Sequence, residues 1–417
     1  MYYNLHDYCK VVTGKTRGAI YDLNSGKVYS INQSALNLLN LYLQKPFESL
    51  SRNLTSSQIH FFDTLTQKGL GSFYINQPII RSTKHTDLPE PNLTFVWLET
   101  TTKCNNRCLH CYTESSLHEQ TETLISKEQY LNLIRDIRLT GCSAIQFIGG
   151  EPLLYPHWRA LIQEAVKNQY EFIEIFTNAT LLTDEIIDFL AENKIHIATT
   201  IYADNPEIHD KITQNKGSFV KTIAAIEKIC KKNIPLRIAS ILMKQNEHER
   251  EKIMNLCKNF GVEVMPPDII RPTGRGENQN LLPDDISSKT IQPPFYISET
   301  DFKIAQKCHP CLAGKLAITP NGNVFPCIFA RNQLLGNILH TSLNDLLASQ
   351  TLQACWKTTK DQITKCKDCE YRYACVDCRP LAQNLNAKHD WYAAPMDCPY
   401  DPYKGIWEIN KNSSTLS

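Results

Sequence analysis

The stretch that decides the fold runs from Leu93 to Ser116 and reads LTFVWLETTTKCNNRCLHCYTESS. Its first residues, Leu93 to Leu98, form an apolar run of strand type. The loop that follows carries Cys104, Cys108 and Cys111, separated by three and then two residues. Three thiolates cannot occupy all four iron corners of a cubane, so a cluster held here leaves one iron open to a ligand that takes part in chemistry. A zinc site or a structural cysteine knot is the other chemistry this spacing allows.

Outward from this loop a regular alternation begins. Strand-type runs at Leu93 to Leu98, Ala144 to Ile148, Phe172 to Phe176, Ile195 to Ile201, Leu236 to Met243 and Val262 to Met265 are separated by helical patterns. The helices are expected near Lys127 to Arg138, Trp158 to Asn168, Asp184 to Asn193, Ser218 to Lys231 and Glu247 to Phe260. Near-continuous apolar strands alternating with helices imply a parallel sheet covered by those helices, here a partial (β/α)6 TIM-like barrel. Sites on such barrels lie at the carboxyl ends of the strands. The three-cysteine loop falls there, and so do Gly149-Gly150-Glu151-Pro152, Thr177-Asn178 and Thr200. The two glycines let backbone approach a ligand closely, and Glu151 can accept from a cationic amine. The same four residues could also form a plain turn. Asn246 is a helix-cap candidate. The loop Arg271 to Gly276, RPTGRG, could hold a carboxylate on its two arginines, or be a solvated turn.

With 417 residues the chain exceeds one typical domain. Lysine and arginine number 44 against 43 aspartate and glutamate, a net charge of +1, which gives no case for nucleic-acid steering or a basic membrane patch. No apolar run approaches a membrane span and the first residues, MYYNLHDYCKVV, lack the layout of a signal peptide, so a cytoplasmic protein is expected. Eleven of the 16 cysteines fall into motifs in two zones, Cys104 to Cys111 and Cys308 to Cys398, with two-residue gaps recurring. That distribution suits metal clusters in a reducing compartment better than the disulfide framework of a short secreted domain. Cys9, Cys142, Cys230, Cys257 and Cys355 stand outside any motif and read as ordinary buried or surface thiols.

Ahead of the barrel, Ala19 to Leu23 and Lys27 to Ile31 flank Asn24-Ser25-Gly26, a hairpin signal. Helices are expected after Asn32 and over Ser56 to Gly69, and a short strand over Ser72 to Ile75. Ser82 to Asn92, polar with two prolines, reads as a linker.

Cys-x3-Cys-x2-Cys with His110 before the third cysteine and Tyr112 after it resembles the signature of the radical S-adenosylmethionine (SAM) enzymes. The resemblance implies that the amino acid end of SAM chelates the open iron of a [4Fe-4S] cluster on Cys104, Cys108 and Cys111. An electron then splits SAM to a 5'-deoxyadenosyl radical. It also implies that Gly149, Gly150, Glu151 and Pro152 grip the SAM amine, and that Thr177, Asn178 and Thr200 contact its ribose and carboxylate. Glu207 to Phe219 is similar to the family too, with Thr213 where many relatives have an arginine; Lys211 or Lys216 is expected to substitute. The hairpin followed by helices resembles the RiPP recognition element, a winged-helix module that binds leader peptides by strand addition to the hairpin edge. A decorative N-terminal extension is the plainer reading.

From Cys308 the spacing Cys308-x2-Cys311, Gly322-x4-Cys327, Cys366-x2-Cys369-x5-Cys375-x2-Cys378 and a late Cys398 resembles the SPASM domain of peptide-modifying radical SAM enzymes. By that resemblance two auxiliary iron-sulfur clusters are expected, one on Cys308, Cys311, Cys327 and Cys378, the other on Cys366, Cys369, Cys375 and Cys398. Val376 and Asp377 give two residues where the family usually has three, and the Cys308–Cys311 pair is tighter than in several relatives. Ile328 stands where sulfatase maturases carry an aspartate, which argues against formylglycine formation. The wording CKDCEYRYACVDCRP looks closest to peptide maturases of grasp-with-SPASM type. The expected organisation is therefore a recognition-element-like domain over 1–85, a radical SAM partial barrel over 92–290 and a SPASM domain over 300–405. The expected partners are a precursor peptide with its leader, a ferredoxin or flavodoxin reductant and an ATP-grasp ligase. Alternatives are maturation of a protein substrate or an enzyme-bound cofactor, and a non-catalytic iron-sulfur scaffold that binds peptides.

Overall fold

The computed structural model describes residues 2–42, 54–75, 88, 90–118, 125–263, 265–284 and 291–408. At the N-terminus lie four strands, β1 (Tyr2–Leu5), β2 (Cys9–Thr13), β3 (Arg17–Asp22) and β4 (Val28–Asn32). The last three form one antiparallel sheet in the order β2-β3-β4. The Asp22 carboxylate accepts from the backbone N–H groups of Asn24 and Ser25 at 3.1 and 3.2 Å and so closes the expected hairpin. Asn32 starts α1 (Gln33–Tyr42) by accepting from Ala35 N at 2.8 Å. Thr55 and Gln58 form a capping box at the start of α2 (Ser56–Gln67). β5 (Gly71–Tyr74) then returns to pair antiparallel with β1. Tyr3, Ile20, Leu36, Leu39, Phe62 and Leu70 pack between these elements. The sequence reading found the hairpin, both helices and β5 but not β1 or β2. The partner of β1 lies some seventy residues away, so no local pattern announces it. Most of the expected linker at 82–92 lies outside the described residues.

The next unit is the α/β barrel. Its strands are β6 (Phe95–Glu99), β7 (Ala144–Ile148), β8 (Phe172–Phe176), β9 (His196–Thr200) and β10 (Leu236–Ala239), all paired in parallel in chain order. Between them run α3 (Lys127–Leu139), α4 (Trp158–Lys167), α5 (Asp184–Glu192), α6 (Pro206–Thr213) and α7 (Ser218–Lys231). Ile134, Ile137, Leu161, Ile187 and Ile229 on the helices bury against Val96, Ile145, Ile173 and Ile197 on the strands, which is why the strands read as unbroken apolar runs. The apolar run Leu236 to Met243 divides at Ser240 into β10 and β11 (Ile241–Leu242). The strand beside β11 is β12 (Asp268–Ile269), parallel to it. The run expected as a strand at Val262 to Met265 is not one at its described positions. That apolar segment instead follows α8 (Arg250–Asn259), with Val262 packed against Cys257 and Ile253.

After α9 (Glu299–Lys307) come β13 (Lys315–Ile318), β14 (Asn323–Phe325) and β15 (Gly336–Asn337). β13 pairs in parallel with β6, from Lys315 beside Phe95 to Ile318 beside Leu98. It covers the edge that the first barrel strand would otherwise expose and makes one sheet in the order β10-β9-β8-β7-β6-β13-β14-β15. The N-terminal sheet is fastened to the cysteine-rich end by Tyr21, whose hydroxyl donates to Glu370 O at 2.9 Å, and by Lys15 N to Asp368 O at 2.8 Å. No described helix is long and apolar enough to cross a membrane.

Candidate active site

The loop after β6 is held in shape by three neighbours. From β7, Gly150 N and Glu151 N each donate at 2.8 Å, to Thr101 O and Lys103 O. From α6, Thr213 O and Ile212 O accept from Arg107 N and Leu109 N at 2.9 and 3.0 Å. From the loop after β12, Arg275 donates through Nε to Cys108 O and through Nη2 to Ser115 O, both at 2.9 Å. Arg275 is thus a clamp on the cysteine loop. Gly149 has φ +138°, and a Cβ there would lie 2.5 Å from Thr101 O; a Cβ on Gly150 would collide with Lys103 O. Only glycine lets these two backbones come together.

Cys104, Cys108 and Cys111 open onto one cavity of about 510 Å³. Gly149, Gly150, Asn178, Thr200, Tyr202 and Thr213 line it beside them. Glu151, Pro152 and Thr177 are buried behind this wall. The Glu151 carboxylate accepts from Thr177 Oγ1 at 2.7 Å and Asn178 N at 2.8 Å, and burial pushes its carboxyl up to about 7. Asn178 in turn donates to Asn105 Oδ1 at 2.8 Å, so Glu151 positions the third-strand loop against the cysteine loop. Lys211 and Lys216 are exposed and line no part of the cavity; Thr213, on the inner side of α6, does. The cations that face the cavity are Arg237 and Arg271.

Sequence reading missed the far half of this cavity. Phe95, Trp97, Phe172 and Phe176 line it with Gln146, Glu174 and Arg237. Glu174 is 3% exposed; Gln146 donates to it, and Arg237 Nη2 lies 2.7 Å from its Oε2. The available signal was three polar residues in otherwise apolar strands, with Gln146 and Glu174 directly paired across β7 and β8. Arg271 and Phe329 complete the wall towards the cysteine-rich end, next to Ile328 and Cys327. Glu99, at the end of β6, is buried against Arg331 of that same end.

The thiols fit iron-sulfur ligation. Cys104 Sγ accepts from Asn106 N at 3.4 Å and from Asn178 Nδ2 at 3.8 Å, and amide donors of this kind are a tuning feature of cluster thiolates. Burial, with Glu151 and Cys111 nearby, pushes the Cys104 thiol up to about 12. Cluster binding here must therefore displace thiol protons. Farther along, Cys366, Cys369, Cys375 and Cys398 surround a cleft of about 30 Å³ with Lys360 and Tyr400. Cys369 Sγ accepts from Tyr371 N at 3.4 Å. Among the described residues no three cysteine, histidine or carboxylate side chains converge at single-ion distance.

The other expected set is Cys308, Cys311, Cys327 and Cys378. Cys311, Cys327 and Cys378 act on one another electrostatically. Cys308 caps α9 with extended backbone (φ −151°, ψ 170°), with Lys307 and Glu90 among its charged neighbours.

Comparison with known proteins agrees with this arrangement. Residues 98–257 match the radical SAM superfamily and residues 303–370 match the SPASM iron-sulfur cluster-binding domain. An AdoMet-dependent heme synthase of Methanosarcina barkeri is 27% identical over 340 residues, 73% of this chain and 96% of that protein. The antilisterial bacteriocin subtilosin biosynthesis protein AlbA of Bacillus subtilis is 25% identical over 309 residues, 70% of this chain and 68% of its own. The fold is shared with Streptococcus suis SuiB solved with S-adenosylmethionine, at a TM-score of 0.54 and 15% identity, covering 95% of this chain and all of that one (100%). SuiB has also been solved with its precursor peptide SuiA. The radical SAM domain takes a [4Fe-4S] cluster and SAM, and the SPASM domain takes auxiliary iron-sulfur clusters. The chain is an enzyme built from a radical SAM domain, whose three-cysteine loop opens on the barrel cavity, followed by a SPASM domain.

Proposed function

We propose that the protein reductively cleaves SAM in order to modify, and cross-link, residues of a ribosomally made precursor peptide. One observation carries this reading. A single cavity runs from Cys104, Cys108 and Cys111, past the aromatic lumen, to Ile328 and Phe329 beside Cys327. A side chain seated there is reachable both from the SAM end and from the cysteine-rich end. The similarity to a bacteriocin biosynthesis protein and the shared fold of a peptide-bound enzyme support a peptide as the substrate.

Cys104, Cys108 and Cys111 would hold a [4Fe-4S] cluster, which would supply the electron for reductive cleavage of SAM. This chain's residues do the rest. Gly149 and Gly150 bring backbone to the SAM amine, with Glu151 behind them, and Pro152 fixes the turn. Asn178 and Thr200, which line the cavity, hold the nucleoside and carboxylate end, with Thr177 supporting them from behind through Glu151. Phe95, Trp97, Phe172 and Phe176 exclude water from the radical, while Arg237 and Arg271 orient polar parts of the peptide. Cys366, Cys369, Cys375 and Cys398 would hold one auxiliary cluster, and Cys308, Cys311, Cys327 and Cys378 the other.

The proposed units are a leader-binding domain over 1–85, the barrel over 92–290 and the SPASM domain over 300–405. In the N-terminal sheet the start of the hairpin edge is engaged: Val28 N donates to Phe295 O at 3.2 Å and Lys27 pairs with Tyr296. The outer strand on the other side is β2, beside a cavity of about 350 Å³ lined by Lys10, Val12, Phe302 and Arg372. Strand addition by a leader is therefore assigned to β2. A cytoplasmic ferredoxin or flavodoxin serves as reductant, and an ATP-grasp ligase acts on the same peptide.

The test is anaerobic reconstitution with iron, sulfide, SAM, reductant and the precursor peptide, with deoxyadenosine and peptide mass as readouts. Deoxyadenosine with a loss of hydrogens from the peptide is expected. SAM cleavage with an unaltered peptide would remove the peptide reading. The heme synthase similarity favours a second reading, cofactor modification; turnover of a tetrapyrrole in place of the peptide would establish it.

A further inference from the structure

Between the two cysteine sets of the C-terminal domain lies a buried group of charges that neither the fold nor the proposed reaction requires. Asp377 stands between Cys375 and Cys378 in the chain. Its Oδ1 is 2.5 Å from Lys360 Nζ and 3.5 Å from His309 Nε2, and its Oδ2 accepts from Arg379 Nε at 2.6 Å. All four residues are buried, with Arg379 at 0% and Lys360 and Asp377 at 7% exposure. Arg379 Nη1 is also saturated, donating to Trp391 O at 2.9 Å and Ala393 O at 2.8 Å. His309 Nδ1 accepts from Cys311 N and Leu312 N, each at 3.2 Å, so its proton sits on Nε2 and points to Asp377.

The group borders both cysteine sets. Lys360 shares one cleft with Cys366, Cys369, Cys375 and Cys398. His309 lies on the turn between Cys308 and Cys311, and Arg379 follows Cys378. With His309 neutral, two cations against one carboxylate leave a single net positive charge. Burying such a group is unfavourable: apolar residues of similar size would serve stability as well or better. A neighbouring group that gains negative charge changes that balance. Reduction of a thiolate-ligated cluster adds one electron to an already anionic centre, and local charge is one of the levers on its potential.

We infer that Lys360, Arg379 and Asp377 form a fixed charge bridge that sets the reduction potentials of the two auxiliary clusters, with Lys360 acting on the cluster of Cys366, Cys369, Cys375 and Cys398. Lys360 favours the reduced form of that cluster; Asp377 moderates both cations and keeps either cluster from holding its electron too firmly. The two residues therefore act with opposite sign, which a packing role would not produce. His309 transmits little charge of its own and orients Asp377.

The inference rests on the SPASM clusters being present, and the experiment separates the two. Full-length protein carrying Cys104→Ala, Cys108→Ala and Cys111→Ala is reconstituted anaerobically, so that iron content and electron paramagnetic resonance report the auxiliary clusters alone. Absence of both signals would remove the cluster assignment itself. With signals present, a mediated one-electron titration compares Lys360→Met, Lys360→Arg and Asp377→Asn in that background. Lys360→Met is expected to lower the reduced-to-oxidised ratio of one cluster about tenfold at fixed potential, a shift of about 59 mV, with a smaller shift at the other. Lys360→Arg keeps the charge and should restore the parent potential; Asp377→Asn should shift both clusters the opposite way. If Asp377→Asn fails to load iron, the Met and Arg pair decides alone. Equal potentials in Lys360→Met and Lys360→Arg would overturn the inference.

Discussion

At the residue scale, Glu151 and Arg331 each carry a consequence of burial. Glu151 is fully enclosed, and desolvation, opposed by its three hydrogen bonds, lifts its carboxyl from 4.5 to about 7. The proton is therefore held below neutral pH and released above it. If the ionised form is what grips the SAM ammonium, SAM affinity of the reconstituted enzyme should rise about tenfold between pH 6 and pH 8. Glu151→Gln should bind weakly with a flat profile over that range; equilibrium binding of SAM checks both. Arg331 is the counter-ion of Glu99, which has 2% of its side chain exposed at the foot of the cysteine loop. Arg331→Met leaves that carboxylate unpaired, and breaking a buried pair costs about 3–5 kcal/mol. A fall in denaturation midpoint of the holoenzyme is expected, and Glu99→Gln in the same chain should recover most of it. Little of this was legible beforehand. Glu151 was read as a ligand group, but its first role in the fold is to hold Thr177 and Asn178, a contact made between two strand ends far apart in sequence.

At the scale of elements, the three-cysteine loop and the Gly149–Pro152 turn behave as one piece, because backbone hydrogen bonds zip them together without any intervening side chain. Gly150→Ala places a methyl group against Lys103 O and Ser115 Oγ. The loop must shift to admit it, so a lowered iron content on reconstitution is expected, together with loss of most deoxyadenosine formation. Cys104→Ala, Cys108→Ala or Cys111→Ala should abolish deoxyadenosine outright. The strands and helices around this piece were largely legible, since a parallel sheet buried on both faces writes itself as apolar runs. Ala144–Ile148 and Phe172–Phe176 fall where the apolar pattern puts them. The exceptions have local causes. Ser240 interrupts the fifth strand, and the sixth forms at Asp268–Ile269 after two prolines, where composition offers almost no strand signal. The arginine pair of RPTGRG could not be divided by inspection; Arg275 turns inward to clamp carbonyl oxygens, and Arg271 faces the cavity.

At the scale of the molecule, the N-terminal sheet rests on the cysteine-rich end through Tyr21, Lys15 and the Lys27–Tyr296 pairing. Deleting residues before Asp87 should weaken leader binding while leaving slow SAM cleavage without peptide. Unchanged peptide affinity by fluorescence anisotropy would count against a recognition role. Long-range joins of this kind are what sequence reading does not reach. Nothing in the run Lys315–Ile318 says that it will lie beside Phe95–Leu98, over two hundred residues earlier. That seam has a consequence for electron flow. Because β6 leads into the loop of Cys104, Cys108 and Cys111, and β13 lies between Cys311 and Cys327 in the chain, a single hydrogen-bonded ribbon fixes the spacing between the two cysteine-bearing regions. Tunnelling rates fall steeply with separation, so a spacing fixed by backbone hydrogen bonds would hold any electron transfer between the two regions to one rate.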